Sequence, residues 1–181
     1  LSVIERLIMH IPRVSLPFCR AAAALIVALG LVTPGFASEP DGRITITAPG
    51  HAAVTLTPAQ IQALPQVQAD IAFATAHGPF HAHVAGPLLW TVLLAAHAIN
   101  SKSPETLAHE AVTATGADHY AATLAMGELA PGFADKTIIL ATSVNGQPLA
   151  PGHERLFVPG DRHGGRSVRD VVGLAVTDER R

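Results

Sequence analysis

The sequence predicts an α+β fold, mainly β, with two or three short helices beside one or two mixed sheets. Three observations predict it. Short segments with alternating or continuous apolar character recur along the chain from residue 43 onward. Helix-start signals are few, and the stretches that follow them are short. There is no regular strand–helix–strand alternation and no internal repeat.

Residues 43–47 (RITIT) alternate as a half-buried strand does, and 53–56 form a second extended stretch. Thr57 can cap a helix, with Pro58 at its first position and Gln60 completing a capping box. Leu56 and Ile61 stand at the places of a hydrophobic staple, and Leu64-Pro65 ends the helix. Residues 68–75 (QADIAFAT) read as a strand. Residues 77–86 read as a loop or irregular strand holding Gly78-Pro79. Gly86-Pro87 opens a second helix over 88–98, apolar nearly all round and so well buried. Residues 101–106 are a polar connector. Residues 111–115 and 120–124 are strands on either side of a turn at 116–119. Residues 126–129 make one helical turn, closed by Pro131-Gly132. Residues 137–144 are the most strand-like, and Asn145-Gly146 then turns the chain as a type I′ hairpin does. A short strand at 156–158, a loop rich in glycine and charge at 159–165, and a last strand at 171–176 complete the chain.

Residues 1–37 read as a cleavable signal peptide. Arg13 and Arg20 supply a basic n-region, 21–32 (AAAALIVALGLV) is an apolar run too short to span a bilayer comfortably, and small residues precede a cut after Ala37. The expected location is periplasmic or secreted. The two arginines are far apart, so the pair that marks export of folded proteins is missing. Residues 38–181 are then one domain, long enough to bury a core. This part holds nine basic and thirteen acidic residues and no basic stripe, which argues against nucleic acid, and it has no stretch suited to a membrane span. The only cysteine, Cys19, lies in the leader, so no disulfide, thiolate nucleophile or thiolate metal ligand is expected beyond it.

Four stretches carry a resemblance. Residues 158–176 read VPGDRHGGRSVRDVVGLAV. Asn145-Gly146-Gln147-Pro148-Leu149 and Arg155-Leu156-Phe157-Val158 come before it. Gly116-Ala117-Asp118-His119-Tyr120 precedes a strand, and Gly86-Pro87-Leu88-Leu89-Trp90 opens a helix. In this order they resemble the molybdopterin-binding domain of the sulfite-oxidase type, especially its small exported bacterial members. The resemblance implies a sulfite-oxidase-like fold and molybdopterin as a possible cofactor. It also implies that Gly165, Arg166, Ser167 and Arg169 hold the cofactor's terminal phosphate. Glycines that admit a ligand to the backbone, a hydroxyl and two guanidinium groups suit that task.

The sequence also departs from that family. The family's active enzymes hold molybdenum with a cysteine thiolate. The region where that ligand would fall reads Ala76-His77-Gly78-Pro79-Phe80. The expectation is therefore a pterin-binding fold without molybdenum redox catalysis. It would bind a small anionic ligand, or a periplasmic or membrane protein partner, in the former cofactor cleft. One alternative is a molybdopterin-dependent oxidoreductase whose metal lacks a cysteine ligand. Another is a zinc- or copper-binding protein: His77, His81 and His83 lie within seven residues, and His81 and His83 share a face if the stretch is extended. No catalytic residue and no metal ligand is assigned.

Overall fold

The computed structural model describes residues 41–99 and 103–180. The signal peptide expected over 1–37 lies outside them. In β1 (Ile44–Thr47) the alternation of the sequence becomes burial: Ile44 and Ile46 point into the core while the threonines face out. β1 pairs antiparallel with β2 (Val54–Leu56) and parallel with β11 (Val171–Asp178). β11 runs antiparallel to β5 (Glu110–Gly116), which pairs with β6 (Ala121–Ala125). The sheet order is β2-β1-β11-β5-β6.

Among the described residues four short helices pack beside the sheets: α1 (Pro58–Gln62), α2 (Leu89–Ala95), α3 (Pro104–His109) and α4 (Met126–Leu129). The capping box of α1 forms as read. Thr57 Oγ1 accepts from the Gln60 amide and Gln60 Oε1 accepts from the Thr57 amide. Leu56 and Ile61 are buried in one core with Leu93, Leu124 and Leu174.

A second sheet is built on a long hairpin, β3 (Gln66–Thr75) and β4 (Gly78–Pro87), joined through ten uninterrupted residue pairs. It continues through β8 (Ser143–Val144) and β9 (Gln147–Pro148) in the order β3-β4-β8-β9. Asn145 and Gly146 both take positive φ, as a type I′ turn requires. β7 (Ile139–Ala141) and β10 (Arg155–Phe157) pair with each other between two cores. Leu140 and Leu156 face the first; Ile139, Ala141 and Phe157 face the second, with Ile71, Phe73 and Val84. Burial on both faces explains why 138–141 (IILA), within the most strand-like segment, is apolar without alternation.

Three expectations need correction. The stretch 77–86 is a regular strand from Gly78 onward, because every residue of it pairs with β3. Gly86 and Pro87 belong to that strand and do not open the second helix, which is confined to Leu89–Ala95. Gly86 is there for closeness: a Cβ would lie 2.1 Å from the Leu140 carbonyl oxygen. The supposed connector at 101–106 contains the start of α3, with Pro104 in its first turn, a helix-start signal the polar composition obscured. Among the described residues the α-helices therefore number four.

Candidate functional site

The strand end of β3, the β5–β6 turn, the start of β10 and the segment 163–169 surround a cleft of about 700 Å³. Phe73, Ala74, Thr75 and Ala76 line one wall; Asp118 and Tyr120 line another. Arg155, His163, Gly164, Gly165, Ser167 and Arg169 complete it.

Two glycines let these walls meet. Gly116 ends β5 against the 169–170 backbone, where a Cβ would lie 2.4 Å from the Arg169 carbonyl oxygen. The Ala117 amide then donates to the Asp170 carbonyl. Gly164 lies flat on Phe73, whose ring a Cβ would meet at 2.6 Å. The turn between β5 and β6 is held by Asp118, whose Oδ1 accepts from the Tyr120 amide, with His119 at positive φ. Tyr120 Oη donates to the Gly165 carbonyl at 2.5 Å, tying that turn to the glycine pair.

The cleft's electrostatics rest on Arg155. Its guanidinium lies 4.6 Å from the Phe157 ring centre and 5.0 Å from that of Phe80, and its Nε donates to Ser167 Oγ. Neither Arg155 nor Arg169 is in a salt bridge among the described residues. Burial, and next the neighbouring charge of Arg169, bring the Arg155 pKa down to about 10. Asp170 opposes that shift in part, and the two guanidinium groups lie at a cleft wall suited to an anion.

The four residues expected to hold a phosphate divide. Gly165, Ser167 and Arg169 line the cleft. Arg166 does not. It forms two hydrogen bonds with Asp161, and its Nη1 reaches both Glu128 oxygens at 3.0 Å. Glu128 also takes Lys136. Burial would raise the Glu128 carboxyl, but hydrogen bonds from Lys136 and Arg166 outweigh it and hold it below the usual range. The Ser167 amide donates to the Gly164 carbonyl and is not turned to a ligand. The cation that sequence reasoning missed is Arg155. It stood in one of the quoted motifs, and its place at the start of the strand before the glycine loop was the available signal.

The histidines do not assemble. His81 and His83 do share the exposed face of β4. His83, however, is hydrogen-bonded through Nδ1 to Asp70 and through Nε2 to Gln68 across the hairpin. Sequence distance concealed that carboxylate. Among the described residues no group of three or more histidine, cysteine, aspartate or glutamate side chains is placed to hold a metal ion. His153 bonds Asp170 at 2.8 Å, away from the hairpin.

A phosphate-bearing pterin fits one end of the cleft and not the other. Arg155, Arg169 and the open backbone at Gly165 suit a phosphate. At the other end Ala74, Thr75 and Ala76 offer no thiolate, and the chain's only cysteine is Cys19. Thr75 Oγ1 already donates to the Gly78 carbonyl.

The family model described as the oxidoreductase molybdopterin binding domain matches residues 33–181. Comparison with curated proteins finds no match. Among solved structures, the sulfane dehydrogenase SoxCD from Paracoccus pantotrophus is similar with a TM-score of 0.58 and 22% identity. The likeness covers 78% of this chain and 39% of that one, so the chain spans well under half of its length. At that identity the likeness concerns the fold.

Proposed function

This chain belongs to the oxidoreductase molybdopterin-binding domain family, and from that premise we propose that it is an exported member working without molybdenum redox catalysis. Its cleft binds a small anion carrying a phosphate or a similar group, or the acidic group of a periplasmic partner. One observation carries this reading: the cleft pairs two arginines that form no salt bridge among the described residues with a wall of alanine and threonine where a metal thiolate would stand. Arg155 and Arg169 bind the anion, Ser167 orients Arg155, and Gly165 leaves the backbone open to it. Molybdopterin, if bound, would supply redox chemistry through its metal; Ala74, Thr75 and Ala76 do not fit that metal. The leader read over 1–37 supports export, and its lack of an adjacent arginine pair suits a chain that crosses unfolded.

The test is calorimetric titration of the purified protein with inorganic phosphate and with a simple phosphomonoester. Saturable binding that weakens with salt and is lost on Arg169→Met supports the reading. No binding of either anion would remove its basis.

A further inference from the structure

Among the described residues the hairpin strand β3 is an edge strand, and none of them covers its outer side over most of its length. The Ala74 amide donates outward to the Arg162 carbonyl at 2.9 Å, and Ala74 bridges His163. Backbone groups alternate along a strand, so Gln66, Gln68, Asp70 and Ala72 also turn their amides and carbonyls outward. The inner partner strand obeys the same alternation: His83, opposite Asp70, exchanges hydrogen bonds with Asn145 on the far side. No backbone hydrogen bond to these outward groups of Gln68, Asp70 or Ala72 exists among the described residues.

Edges of this length are normally blunted by lysine, proline, a bulge or a covering loop. β3 has none of the first three; its one charge is Asp70, and the covering loop begins only at Ala74. We infer that this edge pairs with the same edge of a second copy of the chain, antiparallel about a two-fold axis at Ala69.

Register selects this occupant. Centred on Ala69, Gln66 faces Ala72 of the partner subunit, and Gln68 faces Asp70 of the partner subunit. All four outward residues are then paired, and Ala74 is left to Arg162. Asp70 meets an amide side chain and not a second carboxylate. On the other face Val67 meets Ile71 of the partner subunit and Ala69 meets its own copy, so apolar matches apolar. Centring on Asp70 would oppose two aspartates, and centring on Ile71 would claim the amide already held by Arg162. The two four-stranded sheets would become one of eight strands.

Ala69 supplies the test. Its amide and carbonyl point to β4, so the two copies of Ala69 would form a non-hydrogen-bonded pair with Cα atoms about 4.5 Å apart. That spacing suits a disulfide. In a Cys19→Ser background, protein expressed with its own leader and carrying Ala69→Cys should cross-link into dimers under mild oxidation. Ala52→Cys, on an exposed loop, should not. Sedimentation equilibrium of the unmodified protein should give a dimer. Ala72→Pro removes an outward amide that no intrachain ladder uses, and should weaken the dimer about thirtyfold while the far-UV spectrum is kept. A monomer at every concentration, equal cross-linking of the two cysteine variants, or a dimer indifferent to Ala72→Pro would each overturn the inference.

Discussion

Replacing Arg155 with methionine separates binding from stability. The guanidinium's pKa is brought from its ordinary range to about 10 by burial and then by Arg169. For a base this means that folding disfavours the charged form. The penalty is present at every pH below about 10 and is relieved only above it. Its upper limit is about 3 kcal/mol, and screening by solvent in the open cleft reduces it to about 1–2 kcal/mol. Against it stand the hydrogen bond to Ser167, worth about 1 kcal/mol, and stacking on Phe80 and Phe157, about 0.5–1 kcal/mol each. Methionine keeps much of the packing against the two rings. Arg155→Met should therefore leave unfolding in urea within about 1 kcal/mol of the parent. Phosphate affinity should fall about thirtyfold or more, because a charged donor to the anion is removed. Urea unfolding and calorimetric titration, done at one pH and salt concentration, measure both quantities. A loss of more than about 3 kcal/mol with affinity unchanged would refute the reasoning and make Arg155 a structural pillar.

Arg166→Met should do the reverse. It removes the hydrogen bonds to Asp161 and Glu128 and should cost about 1–3 kcal/mol at neutral pH, with phosphate affinity nearly unchanged. Because the Glu128 pKa is lowered in the fold, the stability it contributes is present above the ordinary carboxylate range and lost as pH falls through its lowered value. The variant's deficit should shrink over the same window in pH-dependent unfolding. Glu110→Gln tests the opposite sign. Glu110 is buried with Oε2 unpartnered, and burial, then Asp178, raise its pKa. The charged form is thus penalised at neutral pH and relieved as pH falls through the raised pKa. The variant should be more stable by about 1 kcal/mol at pH 7, with the gain fading toward about pH 4.5 in the same assay.

Local rules made much of the fold legible. The Thr57 capping box, the Asn145-Gly146 turn and the alternation of RITIT each depend on neighbours within a few residues, and each appears as read. β4 was obscured because Gly78-Pro79 looks like a break, yet long-range pairing with β3 extends the strand through both. Gly86-Pro87 misled for the same reason: the glycine answers to β7, more than fifty residues away. At the site, motif residues Gly165, Ser167 and Arg169 reached the cleft. Arg166 was claimed by Glu128, a partner on α4 that no spacing rule discloses. Arg155 lies against the stacked rings of Phe80 and Phe157, neighbours it meets only in the folded chain.

The central claim is that the cleft keeps its anion-binding end without a resident molybdenum centre. Metal and pterin analysis tests it most directly, on protein purified from the periplasm of a host that makes molybdenum cofactor. The account predicts neither molybdenum nor oxidised pterin in stoichiometric amount. Near-stoichiometric molybdenum with a pterin signal would contradict it, and would make the chain an oxidoreductase whose metal is held without a cysteine.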